Sequence, residues 1–203
     1  MVILKIIYFI RHSKTLKVNN MINNDSLQEK NEKQILSIYG EELAKEKMGI
    51  DELKSIDKVY SSNYIRSIST AKYIADYNNL EINIHEGFGE RKFGINSYDE
   101  ITTDFYDKQA IDENYKLGNG ESQKEVRERM YNSLISILEN DKKIAIVSHS
   151  TAILFLLMKW CDIDYKTIKF QDRIIAPTKI DNCAIFKLIF DDNNDLISIE
   201  NIK

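Results

Sequence analysis

The fold of this chain is indicated most clearly by the stretch Val2-Ile3-Leu4-Lys5-Ile6-Ile7-Tyr8-Phe9-Ile10, which runs directly into Arg11-His12-Ser13. Such an almost uninterrupted apolar run is typical of a β-strand that is covered on both faces in a parallel sheet. A second run, Lys143-Ile144-Ala145-Ile146, leads in the same way into Val147-Ser148-His149-Ser150. Because ligands bind beyond the carboxyl ends of strands in open parallel sheets, two of the three histidines are predicted to lie at one site.

The composition limits the class of protein. The chain has 203 residues, of which 43% are hydrophobic, and this predicts one well-buried domain over residues 1–203. Its net charge of -4 argues against nucleic acid or a membrane surface as the main partner, and Ala152–Trp160 is too short to span a bilayer. The start Met1–Lys5 lacks signal-peptide features, and Cys161 and Cys183 have no metal-binding or redox spacing. We therefore expect a cytoplasmic protein without a bound metal, and the oligomeric state is left open.

Strand-like and helix-like segments alternate along the chain. Apolar periodicity predicts helices at Glu32–Lys47, Asn63–Tyr77, Glu121–Glu139 and Ser150–Trp160. Further strands are predicted at Asp57–Tyr60 and Leu80–His85 and in a hairpin of Asp181–Phe190 and Leu196–Ile202. Residues 13–31 are expected to form a loop, and residues 87–120 a short irregular insertion over the site, like a partial lid, with a short helix near Asp104. This order predicts a three-layer α/β fold, a mostly parallel sheet with helices on both faces.

Basic and imidazole side chains are concentrated at the predicted strand ends. Arg11 precedes His12, and Arg66 lies in the first turn of the helix after the next strand, which Ser62 or Asn63 is expected to cap. Arginine offers a planar fork that matches phosphate oxygens, and helix starts attract anions. A neutral imidazole is a competent nucleophile near pH 7. Because phosphoryl transfer depends mostly on positioning and charge stabilisation, these groups favour phosphoryl chemistry without a metal.

An acid is also required, because the departing oxygen must be protonated. Glu90, in the irregular segment, is the preferred candidate, and Glu86, Asp99 and Glu100 are neighbouring alternatives. His85, the third histidine, alternates within a predicted strand and is expected to be structural.

Six strings of the sequence resemble, in order, the motifs of the histidine phosphatase superfamily, which includes the cofactor-dependent phosphoglycerate mutases. The strings are Arg11-His12-Ser13-Lys14-Thr15, Leu27–Asn31 with Gln34, Ser61-Ser62 with Arg66, Thr70 and Ala71, Glu90–Gly94, Gly120-Glu121-Ser122 with Val126 and Arg129, and Val147-Ser148-His149. The resemblance spans most of the chain. It implies a metal-independent phosphomonoester hydrolase that acts on a small phosphorylated metabolite through a phosphohistidine, with no cofactor.

The resemblance also implies roles for the matched residues. His12 would become the phosphohistidine, Glu90 would protonate the leaving oxygen and then activate water, and His149 would help to hold the phosphoryl group. The candidates for substrate binding are Arg11, Arg66, Ser62 and Lys14. Lys14 would add positive charge at the mouth of the site.

Several positions depart from the family's pattern. Ser13 and Ser150 stand where glycine is commonest, Lys14 where an acidic or amide residue is usual, and Val18 where an asparagine is expected. Two alternatives therefore stay open, a phosphoglycerate mutase-type phosphotransferase and a non-catalytic phosphate-binding or scaffold protein. The short insertion and the changes at Lys14 and Val18 favour hydrolysis over mutase chemistry. The presence of every charged catalytic residue type favours an enzyme over a scaffold.

Overall fold

The computed structural model describes residues 4–18, 25–138 and 142–202 and is built on a six-stranded sheet with a smaller three-stranded sheet beside it. The strands are β1 (Lys5–Arg11), β2 (Lys58–Ser61), β3 (Ile82–Ile84), β4 (Lys143–Ser148), β5 (Asp162–Ile163), β6 (Thr167–Phe170), β7 (Arg173–Pro177), β8 (Ile185–Phe190) and β9 (Leu196–Ile202). The large sheet has the order β3-β2-β4-β1-β8-β9. Strands β3, β2, β4 and β1 are parallel, and β8 and β9 join antiparallel at one edge.

Helices cover both faces of the large sheet. The α-helices are α1 (Leu27–Glu32), α2 (Ile38–Met48), α3 (Ile65–Asn78), α4 (Phe105–Ile111), α5 (Gln123–Ile137) and α6 (Ser150–Leu157). Side chains of β1 alternate between the faces: Ile7 and Phe9 pack in the core beneath α5 and α6, and Tyr8 and Ile10 pack in the core beneath α2 and α3. The predicted three-layer, mostly parallel α/β fold is therefore confirmed.

The carboxyl ends of three parallel strands meet at one edge. The register pairs Arg11 of β1 with Ser148 of β4, and Ser61 of β2 with Val147 of β4. The His12 N–H continues this pairing by donating to the Ser148 carbonyl at 2.9 Å. His12 and His149 thus leave neighbouring strands side by side, as the two apolar runs predicted.

Three predicted segments need correction. The predicted loop 13–31 contains α1, which starts at a reciprocal capping box between Ser26 and Glu29, while residues 19–24 lie outside the described ranges. The helix predicted from Glu32 is broken, and α2 begins after Ser37, whose hydroxyl accepts from the Gly40 N–H. The small sheet β5–β6–β7 was not predicted.

The predicted cap of α3 is also wrong. The N-cap residue is Tyr64, whose side chain makes no cap hydrogen bond. The Ser62 hydroxyl lies 2.9 Å from His149 Nε2 and also accepts a longer bond, 3.4 Å, from the Tyr64 N–H, so its shorter contact is with the site.

The segment 87–120 is irregular apart from short helical turns, α4 among them. Its two ends approach closely, since the Glu121 N–H donates to the Lys92 carbonyl at 2.7 Å. Gly94 has a φ of +69°, and a Cβ on Gly120 would lie 2.3 Å from the Phe93 carbonyl oxygen, so side chains are excluded where the ends meet. The division of the chain into one domain with a lid-like insertion stays a prediction. In the described ranges, no helix combines the length and apolarity needed to cross a membrane.

Candidate active site

His12 is held as a neutral imidazole with a defined tautomer. It follows β1 and is 8% exposed, and its Nδ1 lies 2.7 Å from the Ser13 carbonyl oxygen. A carbonyl only accepts hydrogen bonds, so Nδ1 carries the proton and Nε2 carries the lone pair. Burial, with the positive charges of Arg66 and Arg11, holds the pKa of His12 well below its usual value of 6.5. The unprotonated Nε2 is therefore maintained at neutral pH.

His149 is fully buried at the end of β4 and is also neutral. Its Nδ1 lies 3.2 Å from an Arg66 nitrogen, Nη2, which only donates, so the ring proton belongs on Nε2. That Nε2 lies 2.9 Å from the Ser62 hydroxyl and 3.3 Å from the Ser67 hydroxyl. Burial, followed by electrostatic interactions with His12 and with Arg66, lowers the pKa of His149 well below its usual value. The two imidazole rings lie 5.1 Å apart between centroids.

Arg66 joins the two imidazoles. It stands in the first turn of α3, is 3% exposed, and donates from Nε to His12 Nε2 at 3.0 Å and from Nη2 to His149 Nδ1. Its Nη1 donates to the backbone carbonyl of Asn31, just inside the end of α1. The Tyr64 ring lies 4.6 Å from the guanidinium carbon. One cationic fork thus faces both candidate catalytic histidines in a buried setting.

Arg11 is the last residue of β1 and directly precedes His12. Its Nη1 donates to the Ile180 carbonyl, and its buried Nε has no hydrogen-bond partner among the described residues. Burial lowers the pKa of Arg11, and the nearby charge of Glu90 opposes that effect. The structure therefore brings Arg11 within electrostatic reach of the site and leaves a buried donor available there.

Glu90 is anchored at the start of α6. Its Oε1 accepts from the Ala152 N–H at 3.0 Å, and its Oε2 lies 3.4 Å from the Thr151 nitrogen. The free N–H groups at the helix start therefore hold the Glu90 carboxyl group in a fixed position. The charge of Glu90 raises the pKa values of both Arg11 and Arg66 against the effect of burial. Glu90 therefore belongs to the same charged cluster as the two arginines.

The loop that carries Glu90 is fixed from two sides. The Ser148 hydroxyl donates to the Phe88 carbonyl at 2.7 Å. Arg129 of α5 donates to the Gly87 carbonyl at 2.8 Å, and Glu121 orients its guanidinium through contacts of 2.6 and 2.9 Å. The loop position is thus set by β4 and α5 together.

The predicted residues Lys14 and Ser62 lie in different surroundings. Ser62 is fully buried against His149, whereas Lys14 is exposed, with its ammonium 5.2 Å from the centroid of the Tyr39 ring. The structure therefore places Ser62 inside the cluster and Lys14 on the exposed surface of the protein, over the Tyr39 ring.

Serine fits at position 13, where the family usually has glycine. Ser13 is fully buried, its hydroxyl donates to the Gly40 carbonyl at 2.7 Å, and its N–H donates to the Thr70 hydroxyl at 3.0 Å. The hydroxyl that serine adds is thus hydrogen-bonded and ties the strand end to α2, while the backbone N–H, which glycine would also offer, ties it to α3.

Sequence reasoning listed Leu27–Asn31 among the family-like strings but assigned its residues no part in the site, to which α1 contributes. The Gln28 amide donates to the Tyr64 hydroxyl at 2.7 Å, and the Asn31 carbonyl accepts from Arg66. A cavity of about 170 Å³ lies between α1 and the segment 92–98. In the part of the chain that the structure describes, no group of three or more His, Cys, Asp or Glu side chains is arranged to hold a metal ion.

With this site defined, the class of protein follows from the comparison with known families. The chain belongs to the histidine phosphatase superfamily, because the model for branch 1 of that superfamily matches residues 7–202. No curated protein matches the chain by sequence.

Solved structures with the same fold include both phosphatases and a mutase. A mycobacterial glucosyl-3-phosphoglycerate phosphatase is 16% identical with a TM-score of 0.68, covering 98% of this chain and 97% of its own. A phosphoglycerate mutase from Bacillus anthracis is 18% identical with a TM-score of 0.68, covering 99% and 93%. A phosphoserine phosphatase from Entamoeba histolytica, solved with phosphoserine, is 20% identical with a TM-score of 0.64, covering 97% and 96%. At these identities the likeness establishes the fold.

Proposed function

We propose that this protein is a metal-independent phosphomonoester hydrolase that acts on a small phosphorylated metabolite through a phosphohistidine intermediate. The observation that carries the proposal is the buried Arg66 fork set between two neutral imidazoles. One of them, His12, keeps an unprotonated Nε2 on the side of the fork. Membership of the superfamily supports the same conclusion.

In the first step, His12 Nε2 attacks phosphorus and forms a P–N bond, while the bond from phosphorus to the leaving oxygen breaks. Glu90, in its carboxylic acid form, gives its proton to that oxygen, and an alcohol departs. Arg66 and Arg11 stabilise the charge that develops on the phosphoryl oxygens, because buried charged donors act more strongly than donors in water. The unpartnered Nε of Arg11 is suited to this task.

In the second step, the Glu90 carboxylate takes a proton from water, and the water oxygen attacks phosphorus. The P–N bond breaks, inorganic phosphate leaves, and His12 and the Glu90 acid are restored. The same carboxyl group therefore acts first as an acid and then as a base.

Ser62 has a defined part in this scheme. Without substrate, His149 accepts from Arg66 at Nδ1, and its Nε2–H faces the Ser62 hydroxyl. When the Arg66 fork turns to phosphoryl oxygens, the freed Nδ1 of His149 takes a proton from a phosphate monoester that arrives as a monoanion. The imidazolium that results donates its Nδ1–H to the phosphoryl group, while its Nε2–H continues to donate to the Ser62 hydroxyl.

Hydrolysis is favoured over mutase chemistry by the state of the basic residues in 87–120. A mutase must hold a second anionic group of its substrate, and that requires free cations near the pocket. Lys108 pairs with Asp104 at 2.8 Å, and Lys116 pairs with Glu125 at 2.6 Å. Arg91 is buried and donates to the Gln109 amide oxygen at 2.7 Å. Three of the segment's four basic side chains are therefore already engaged within the protein, and the fourth, Lys92, lines a cavity together with Glu90.

The proposal is tested by trapping the intermediate. A brief incubation with ³²P-labelled phosphomonoester in EDTA should give an acid-labile, alkali-stable phosphoprotein in the wild type and in His85→Ala, and none in His12→Ala. His85 is the matched control because it is the remaining histidine and lies outside the cluster. Label on His12→Ala protein would refute the assignment.

Product analysis separates hydrolysis from the alternatives. With 3-phosphoglycerate and 2,3-bisphosphoglycerate, we expect phosphate release to exceed formation of 2-phosphoglycerate. Faster interconversion would establish the mutase alternative. Absence of turnover on p-nitrophenyl phosphate and on a panel of phosphorylated metabolites would favour the scaffold alternative.

A further inference from the structure

A cleft beside Glu90 is not used by the chemistry above. It has a volume of about 700 Å³ and lies between α4, α6 and the segment 163–165. Its apolar wall consists mainly of Phe93, Tyr106, Leu154, Phe155, Met158 and Ile163. We name it the α6 cleft. Its size falls within the range of about 300–1,000 Å³ for small-molecule sites, and a mostly apolar lining is also typical of them.

One end of the α6 cleft adjoins the proton donor. Thr151 and Arg91 line that end, and the Thr151 nitrogen lies 3.4 Å from Glu90 Oε2. Arg91 follows Glu90 in the chain. A leaving oxygen that receives a proton from Glu90 must come within about 2.6–3.2 Å of the carboxyl group. Glu90 itself lines a separate cavity of about 280 Å³, and the carbon substituent of that oxygen can extend from Glu90 toward Thr151 and Arg91, which line the α6 cleft.

The charged residues of the cleft wall, Arg91 and Asp164, already interact with other groups of the protein. The Arg91 guanidinium carbon lies 4.2 Å from the Phe93 centroid and 5.5 Å from the Phe155 centroid, so aromatic rings stabilise its charge. The Asp164 carboxylate accepts from the backbone N–H groups of Lys166 and Thr167, each at 2.7 Å. No lysine lines the cleft in the described structure. The wall is therefore better suited to an uncharged apolar group than to a second phosphate or carboxylate.

We propose that the α6 cleft binds the apolar body of the alcohol that the substrate releases. The preferred substrates are then phosphomonoesters of alkyl or aromatic alcohols rather than of small polyanionic acids. This inference rests on the proposed function, because it assigns the leaving-group side of that site.

Binding of n-alkylphosphonates tests the cleft without requiring turnover, since their C–P bond is not hydrolysed. Calorimetry from methyl- to octylphosphonate should show Kd falling roughly three- to fourfold for each added methylene until the cleft is filled. A Kd that does not change with chain length, or no binding by any member of the series, would overturn the inference.

Substitutions in the cleft wall test whether the dependence of Kd on alkyl chain length arises in the α6 cleft. Ala110→Trp fills the cleft from α4 and Leu154→Asn makes its wall polar, so both should flatten the dependence on chain length. Ile111→Trp is the matched control: Ile111 is 90% exposed, does not line the cleft, and its variant should behave as the wild type. If folded Ala110→Trp and Leu154→Asn proteins keep the full dependence of Kd on alkyl chain length, the alkyl chain binds elsewhere and the assignment is overturned.

The same series distinguishes this inference from the proposed function. If Kd depends on alkyl chain length but n-alkyl phosphates are not hydrolysed, the phosphatase proposal is wrong and the inference about the α6 cleft stands. If n-alkyl phosphates are hydrolysed at rates that do not depend on alkyl chain length, the inference about the cleft is wrong and the phosphatase proposal stands.

Discussion

Replacement of Arg66 by alanine is the most informative single perturbation of the site. The guanidinium is 3% exposed, so water does not readily replace it, and two of its nitrogens face the imidazoles where the phosphoryl group is expected. Loss of one such preorganised donor costs about 2.7–4 kcal/mol of transition-state stabilisation, a factor of roughly 10²–10³ in kcat. Because the variant removes both donors of the fork, we expect kcat to fall by roughly 10³ or more.

The same substitution should change the pH profile in a defined direction. The positive charge of Arg66 is the second cause, after burial, that lowers the pKa of His12. Without that charge the pKa of His12 rises toward 6.5, and the reactive neutral imidazole is lost at a higher pH. The acidic limb of kcat/KM should therefore move to higher pH in Arg66→Ala.

The assay is hydrolysis of p-nitrophenyl phosphate between pH 4.5 and 8, with thermal unfolding to verify the fold. Arg127→Ala is the matched control, since Arg127 makes an ion pair with Glu113 on the surface. Arg66→Lys should recover only part of the rate, because a lysine keeps the charge and loses the fork. A folded Arg66→Ala enzyme with kcat/KM near that of the wild type and an unshifted acidic limb would refute the reasoning.

Three further outcomes are expected. Glu90→Gln should lose far more activity on an alkyl phosphate than on p-nitrophenyl phosphate, because nitrophenolate leaves without a proton. Glu86→Gln, in the same loop, is the control and should lose little activity on either substrate. Equal losses of Glu90→Gln on both substrates would indicate that another residue is the acid. Because burial holds the pKa values of His12 and His149 well below 6.5, the unfolded chain takes up protons that the native state does not as the pH falls below 6.5. The free energy of unfolding, from urea titrations, should therefore fall between pH 7 and pH 5, by up to about 1.4 kcal/mol per pH unit for each histidine, and His149→Asn should reduce that slope. Arg129→Ala should lower kcat more than it raises KM, because the bond from Arg129 to the Gly87 carbonyl positions the loop that carries Glu90. The loss of kcat should be larger for alkyl esters than for nitrophenyl esters. Equal losses for both esters would show that Arg129 has only a structural role.

The large sheet was predictable because its signals are strong and local. Strands β1 and β4 are buried on both faces and therefore read as continuous apolar runs, each ended by a histidine. The small sheet offers no such pattern, since β5 has two residues and β7 begins with the exposed residues Arg173 and Ile174. Helix α1 has no buried residue, so it lacks apolar periodicity, and its local sequence signal for a helix is the capping box of Ser26 and Glu29.

The side chains of the site could also be predicted from the sequence, whereas its backbone contacts could not. Sequence reasoning nominated His12, Arg66, Glu90 and His149 because side-chain types and strand ends are visible in a sequence. The groups that set their chemistry are mostly backbone atoms: the Ser13 carbonyl sets the tautomer of one imidazole, α1 supplies a carbonyl to Arg66, and the start of α6 holds Glu90 by its N–H groups. Every residue carries a backbone carbonyl, and nearly every residue a backbone N–H, so the residue type does not indicate which of these groups will contact the site. The proposed nucleophile could therefore be nominated from the sequence, but its tautomer, and with it the nitrogen proposed to attack, follows only from the folded backbone.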